Sequence, residues 1–454
     1  MADSQDKTAA LEAENARLRA EIERLKAIIE DLHRGQKRQA APFSKGPPKP
    51  DPKPPGRKAG DGYGTRAYRK APPKVDESYD APLPAACPTC QGRVDERSVA
   101  PQYQTEIPRK PILRRFDVHL GVCACCGKHV QGRHPLQTSD ALGAAASQLG
   151  PDAQALATTL NKEAGLSHGK IQRVFATVFG ITFSRGASAQ IMLRAAQRCG
   201  SAYREIQIAV RKSSWCVPDE TGWRVGGRLH WLHVFVSEWA TLYLIRDSRG
   251  FDVAAEALGT AYAGHLTHDG WKPYDQFTSA YHNQCNAHLL RRCEHLLETA
   301  TRGAVIFPRR VKALLKQGLA ARDAREAGTR SLTQASATAA RLTARLEACC
   351  GPKTDPGNAR LANFLSFHCG EVFNYLRRPL LFATNWPAEQ AIRPAVVNRK
   401  VWGGSRTDDG ADAQGVLMSV LRTADQVGHD TLDFLSQTLR ATPAHVPRLI
   451  LAHP

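Results

Sequence analysis

Between residues 213 and 270 the chain adopts the two-residue period of β-strands, and this stretch sharply limits the folds open to it. Residues 215–217 form an apolar run into Pro218-Asp219-Glu220-Thr221. Residues 228–236 alternate, and residues 241–245 supply a third apolar segment. A short helical pattern then precedes Leu266-Thr267-His268-Asp269-Gly270. Three strands, a helix and a fourth strand predict a mixed sheet, with Asp219 and Asp269 side by side at neighbouring strand ends.

A third carboxylate follows a long interruption. Residues 301–380 are helix-rich in Ala, Arg and Leu and read as an insertion between the strands and the last acidic element. In Thr384-Asn385-Trp386-Pro387-Ala388-Glu389, Thr384 or Asn385 caps a helix, and Pro387 sits in its first turn, where a missing N–H does no harm. Brought together, Asp219, Asp269 and Glu389 would make a hard, all-oxygen site suited to Mg²⁺ or Mn²⁺. Two such ions can clamp the attacking and leaving oxygens of a phosphodiester. The plainer reading makes the three carboxylates caps and surface charges, three among 43 acidic residues, with Glu389 paired to Arg393 one turn on.

Between these elements, Cys285-Asn-Ala-His288-Leu-Leu-Arg291-Arg292 is helical, with Cys285, His288 and Arg292 on one face. They are auxiliary active-site candidates. The alternative is a basic helix that packs Leu289, Leu290 and Leu296 inward, and a zinc site there would need two further ligands. After Glu389, Asn398-Arg399-Lys400 and Gly403-Gly404-Ser405-Arg406-Thr407 form a basic glycine loop suited to phosphates. A final helix over about 412–440 closes the domain.

Lys and Arg number 62 against 43 Asp and Glu, a formal charge of +19, which calls for a polyanionic partner. No run reaches the ~18 apolar residues of a membrane span. The best candidate, residues 229–245, contains His230, His233 and Glu238. The N-terminus lacks a signal peptide's apolar core, so a soluble, cytoplasmic protein is expected, with nucleic acid as partner. Twelve cysteines, some in Cys-x-x-Cys pairs, suggest metal binding in a reducing compartment.

The first 200 residues carry modules. Leu11, Leu18, Leu25 and Leu32 occupy one heptad position, and Thr8, Asn15, Ile22 and Ile29 the position four before it, the pattern of a parallel two-stranded coil. Glu14 and Glu21 would face Arg19 and Lys26 of a second copy. The alternative is an amphipathic helix docked on its own domain. Residues 35–80 are a basic, proline-rich tether. Cys87, Cys90, Cys123 and Cys126 have the spacing of two knuckles on one structural zinc, with residues 102–122 as the ribbon between them and Cys125 a bystander. Residues 161–175 read as helix, glycine turn, helix, capped by Ser167, with Ile171, Val174, Phe175 and Val178 inward and Lys170 and Arg173 exposed for DNA.

With these motifs laid out, the chain resembles the IS66 family of insertion-sequence transposases over nearly its whole length. The resemblance is carried by the zipper, the tether, the four cysteines, Asp219-Glu-Thr, Asp269-Gly-Trp-Lys-Pro-Tyr, Cys285-x-x-His288, and Asn385-x-x-x-Glu389-x-x-Ile392-Arg393-Pro394. It implies a DDE transposase with a ribonuclease H-like mixed-sheet core and an α-helical insertion. Asp219, Asp269 and Glu389 would be catalytic and hold two Mg²⁺ or Mn²⁺, with Arg393, Arg399, Lys400 and Arg406 toward DNA. The expected divisions are a coiled coil (1–34), a linker (35–80), a four-cysteine zinc module (81–133), a helix-turn-helix-like domain (134–200), the catalytic domain (201–430, insertion about 301–380) and a C-terminal helix and tail (431–454). Partners would be the element's terminal repeats, target DNA, a second copy and accessory proteins, at a bacterial nucleoid. Two other readings stay open: a non-catalytic zinc- and zipper-containing DNA-binding regulator, and a structure-specific nuclease.

Overall fold

The strand-patterned stretch forms a five-stranded sheet whose register carries the rest of the chain. The structure is a computed structural model that describes residues 14–25, 71–105, 107, 110–143, 148–299, 303–441 and 447–450. The chain divides into two units, Met1–Pro111 and Ile112–Pro454.

In the first unit, residues 14–25 are helical (α1). Leu18, Ile22 and Leu25 stand exposed on it at zipper spacing, and Glu21 pairs with Arg24 at 3.0 Å within the helix. The remaining heptad positions, Thr8, Leu11, Ile29 and Leu32, lie outside the described residues, as does the tether up to residue 70. Residues 87–92 close a tight turn, in which Gln91 N–H donates to Cys87 O and Cys87 N–H to Gly92 O.

The second unit opens with a small antiparallel hairpin, β1 (Leu120–Val122) and β2 (His129–Gln131). Its turn repeats the same pattern: Gly127 N–H donates to Cys123 O, and Cys123 N–H to Lys128 O. The ribbon expected over residues 102–122 is corrected here. Among its described residues only the last three are strand, and they pair forward with β2 rather than back along the chain.

A helical layer follows: α2 (Pro151–Lys162), α3 (His168–Val174), α4 (Arg185–Arg198) and α5 (Gly200–Lys212). Ser167 caps α3 by accepting the Lys170 N–H, and a π-helical turn, Phe175–Phe179, continues it. Ile171 and Phe175 are buried, Val174 and Val178 only half-buried or exposed, and Lys170 exposed.

Next come β3 (Trp215–Val225), β4 (Arg228–Ser237), β5 (Thr241–Arg246), α6 (Phe251–Leu258), β6 (His265–His268) and β7 (Tyr281–Gln284). Their order in the sheet is β5-β4-β3-β6-β7, antiparallel among β3, β4 and β5 and parallel from β3 through β6 to β7. The sheet is therefore mixed, with a fifth strand the alternation did not reveal. Asp219 does not end its strand as expected. β3 runs on to Val225 because it pairs with β4 along its full length, down to a turn at Gly226-Gly227.

A helical body then interrupts the core: α7 (Asn286–Thr299), α8 (Ile306–Glu326), α9 (Leu332–Cys349) and α10 (Pro356–His368). It has its own apolar cluster, including Leu289, Val311, Leu315, Leu342 and Leu365. The chain returns through α11 (Trp386–Trp402), α12 (Asp408–Gln426) and α13 (Thr431–Arg440). The single closing helix expected over 412–440 is two helices, broken after Gln426 at Gly428, whose φ of +84° a helix cannot continue through.

The sheet is covered on both faces. Ala388, Ala391 and Ala395 of α11 let its backbone lie close against Val217, Trp223 and Val234, while α2, α4, α5 and α12 share the cluster on Phe235, Leu242 and Leu244. Each fully buried Leu, Val or Phe there contributes about 1.5–3 kcal/mol. The outer strand β5 is closed by α12: Ser419 Oγ accepts Tyr243 N–H at 2.8 Å and Thr423 Oγ1 accepts Thr241 N–H at 3.1 Å. Side chains thus satisfy donors that an open edge would offer to another strand. Among the described residues no helix is long and apolar enough to cross a membrane.

Candidate active site

β3 and β6 pair directly only at Trp215↔His265 and Cys216↔Leu266. The same fifty-residue offset carries Asp219 to Asp269, so both aspartates lie where the two strands have begun to part. Asp219 Oδ1 accepts the Glu220 N–H at 2.9 Å. Asp269 follows the last residue of β6, and its Oδ1 accepts the Trp271 N–H at 2.9 Å, an Asx turn that fixes its rotamer. Gly270 is required in this turn. Its φ is +86°, and a Cβ would come within 2.6 Å of the Phe364 ring. Behind the turn, Gly270 N–H donates to His268 Nδ1. That assigns the proton to Nε2, which donates to His282 Nδ1, whose own Nε2 donates to Phe277 O.

Glu389 enters from the first turn of α11, where a negative charge is favoured by the helix dipole. Asn385 occupies the N-cap position, but its side chain does not cap the helix. Its Oδ1 instead accepts the Cys285 thiol at 3.1 Å, and its N–H returns a bond to that sulfur at 3.2 Å. Further along α11, Arg399 donates to Thr221 Oγ1 at 3.1 Å and to Gly222 O. These bonds moor α11 to β3 two residues beyond Asp219, so one helix carries Glu389 and the anchor that aligns it.

The charges of Asp269 and Glu389 reach Asp219. Asp219 is pushed up to about 7, by burial first, then by the charges of Glu220, Asp269 and Glu389. Among the described residues, however, no three carboxylate, imidazole or thiol groups close to metal-ligand distance. Each carboxylate has a partner of its own: a backbone N–H for each aspartate, and Arg291 for Glu389, with Nη2 2.5 Å from Oε1. The donor set fits a divalent cation in its chemistry, being three hard oxygen ligands whose mutual repulsion a cation would relieve.

Two ion pairs flank the site and differ in kind. Glu220, with only 2 % of its side chain exposed, accepts two bonds from Arg249, at 2.8 and 2.5 Å, and one from Tyr274 Oη at 2.9 Å. The Arg249 guanidinium lies 3.9 Å from the Trp271 ring centre and 4.7 Å from that of Trp231, and the Trp271 indole N–H donates to Arg249 O. Removing one member of such a buried pair costs about 3–5 kcal/mol. The second pair, Arg291–Glu389, leaves 55 % and 40 % of the two side chains in solvent, a contact worth about 0–1 kcal/mol.

The auxiliary candidates separate. Cys285 is 1 % exposed, burial pushes its thiol pKa up, and it serves as a structural tie. His288 accepts from Arg291 Nη1 at 3.3 Å through Nε2, which assigns the proton to Nδ1, a buried atom without a hydrogen-bond partner among the described residues. Burial and the Arg291 charge lower its pKa, so it stays neutral. Arg292 lies over the Phe364 ring at 4.5 Å and donates to the Asp269 backbone carbonyl at 3.5 Å. The expected Glu389–Arg393 contact is replaced by Arg291, and Arg393, Lys400 and Arg406 are exposed.

Arg399 and the glycine loop, expected to face phosphates, have partners within the fold. Arg399 is half-buried against β3, its guanidinium occupied by Thr221 and Gly222. The glycine loop packs on the same strand: Ser405 N–H donates to Arg224 O, Gly226 N–H to Ser405 O, and a Cβ on Gly404 would collide with Arg224 O. Its glycines serve a close backbone approach. Arg291, Glu220, Arg249, Trp271 and Asn385 are the site residues that sequence reasoning passed over. Glu220, Trp271, Arg291 and Asn385 stood inside quoted motifs, but Arg249 carries no local signal.

A mixed sheet with many helices around it is consistent with a DDE-type core. A family model described as Transposase IS66 family matches residues 146–413. The chain belongs to the IS66 family of transposases. No curated protein matches it.

Proposed function

We propose that this transposase cuts DNA at the ends of its element and joins the freed strand to target DNA, using Asp219, Asp269 and Glu389 as one centre. The observation that supports this is the placement of Asp219 and Asp269 where β3 and β6 part, with Glu389 on the first turn of α11; the Asp219 pKa is raised first by burial, then by the charges of Glu220, Asp269 and Glu389. Buried carboxylates with a perturbed pKa mark functional sites. Bound there, Mg²⁺ or Mn²⁺ would stabilise charge on the attacking and leaving oxygens.

The chain's own contribution is positional. β3 and β6 present the aspartates at one level, the Asx turn fixes Asp269, and α11 brings Glu389 in from the far side. Water attacks the phosphodiester, the P–O3′ bond breaks, and the departing oxygen takes a proton to become a 3′-hydroxyl. That hydroxyl then attacks a target phosphodiester in line and displaces a second 3′-oxygen, so no covalent protein–DNA bond is required. His288 lies beside this centre, and Lys170, Arg173, Arg393, Lys400 and Arg406 offer cations to DNA phosphates.

Two further parts of the proposal rest on sequence spacing. Two copies pair through the heptads of residues 8–33, which supports joint processing of two element ends. Cys87, Cys90, Cys123 and Cys126 bind a structural zinc. Cys87 and Cys123 each have a lowered pKa, first from the backbone N–H of Cys90 and of Cys126 respectively. Terminal-repeat DNA, target DNA and accessory proteins of the element are the proposed partners, in a bacterial cytoplasm.

Labelled element ends, Mg²⁺ and a target plasmid test the reading. The wild type cuts and joins, whereas Asp219→Asn binds ends but does neither. Normal cutting and joining by that variant contradicts the assignment. Cutting without joining by the wild type points to a nuclease, and binding alone to a regulator.

A further inference from the structure

Consecutive arginines on α7 have separate fates. Arg292 is held by the Phe364 ring and the Asp269 carbonyl, on the side of the inserted helices. Arg291 bridges His288 Nε2 and Glu389 Oε1, beside the three carboxylates. Both Arg291 and Glu389 keep about half of their side chains in solvent, so their pairing is weak and open to exchange. The Glu220–Arg249 pair is buried and stays fixed. The Arg291 guanidinium also occupies Glu389 Oε1, an atom through which the carboxylate would bind a cation.

We propose that Arg291 holds Glu389 while the protein is free of DNA, then transfers to a non-bridging oxygen of the scissile phosphodiester and releases Glu389 to the aspartates. This rests on reading the three carboxylates as the reaction centre. The exchange suits a guanidinium, whose planar fork accepts phosphate as readily as carboxylate. It also balances charge: the incoming phosphate takes the cation that the acidic centre gives up. His288 supports the move, because its neutral Nε2 accepts one arm of Arg291 and fixes the pivot without competing for the anion. The positive charge of the pair thus passes from an internal carboxylate to the substrate, and Arg291, rather than Arg292, is the arginine that touches it.

The test is Mn²⁺ binding to the full-length, DNA-free protein by titration calorimetry, beside cleavage of labelled ends. Arg291→Gln and Arg292→Gln remove the same charge one residue apart. Arg291→Gln should bind Mn²⁺ about tenfold more tightly than wild type, and Arg292→Gln should differ by no more than about threefold. With end DNA, Arg291→Gln should cleave about 100-fold more slowly, and Arg291→Lys should recover part of that loss. Equal gains in Mn²⁺ affinity from both substitutions would reduce Arg291 to a distant charge and overturn the proposal. Wild-type cleavage by Arg291→Gln would overturn it too. If Asp219→Asn leaves wild-type Mn²⁺ binding intact, the carboxylate centre itself fails, and with it the larger reading.

Discussion

Cys285 and Asn385, separated by 100 residues, exchange two hydrogen bonds at the point where α11 meets the end of β7. The thiol donates to Asn385 Oδ1, and the Asn385 N–H donates back to the sulfur. Asn286 N–H to Ala383 O and Asn283 Nδ2 to Phe382 O extend the seam, so the approach to α11 is fastened to the end of β7. The placement of Glu389 depends on this seam.

Cys285→Ala therefore strands buried polar groups of Asn385 and should cost about 1–3 kcal/mol of stability by chemical denaturation. Cleavage should slow while end affinity holds, and Cys285→Ser should fall between. Bound zinc should be unchanged, because this thiol is buried and raised in pKa rather than poised as a ligand. Loss of zinc in Cys285→Ala would contradict the structural role.

Arg249→Gln leaves the Glu220 carboxylate buried without its counter-ion and should destabilise the protein by about 3–5 kcal/mol. Adding Glu220→Gln should recover much of that loss, with a coupling of about 0.5–3 kcal/mol in a double-mutant cycle. Additive losses would show that the pair does not act as one unit.

Lys162 makes stability depend on pH. Its ammonium donates to the neutral Gln414 Oε1, and burial lowers its pKa from 10.5 to about 7. The unfolded chain holds this proton up to its ordinary pKa, while the folded chain sheds it near 7. The cost of burying the charge is therefore complete below about pH 7 and disappears as pH rises to the unfolded value. Lys162→Met should stabilise the protein at pH 6 by a few kcal/mol, on the order of 5 at most. It should give no gain near pH 10, as thermal melts at the two values will show.

Gly404→Ala should lower stability by about 1–3 kcal/mol, because the position has a φ of +120° and its Cβ would strike Arg224 O. Since the loop docks on β3 soon after Arg399, cleavage should fall further than DNA affinity. A selective loss of affinity, read by end-binding titration, would return the loop to a phosphate-contacting role.

The core was legible where burial imposes a period. β3, β4 and β5 announce themselves by apolar runs, and the spacing of Asp219 and Asp269 follows from the strands that carry them. β7 escaped because Tyr-His-Asn-Gln has no apolar alternation: its side chains bond to the inserted segment through Glu371 and Phe382. Arg249 escaped because its partner Glu220 lies 29 residues back, across a hairpin whose geometry no local motif encodes. The packing of Gly404 and Arg399 on β3 was not legible for a related reason. Glycines and arginines serve a phosphate and a close strand equally well, and only the neighbour decides between them. Of Arg291 and Arg292, helical phase favoured the second, whereas Glu389, arriving from α11, selects the first.

The central claim is that positions 219, 269 and 389 surround one divalent-cation site. Fe²⁺ substituted for Mg²⁺, with ascorbate and peroxide, releases hydroxyl radicals that cut the polypeptide beside the bound ion. Fragments ending near all three positions, suppressed together by excess Mg²⁺, are the result expected. Cuts that spare the neighbourhood of any one of the three would contradict it.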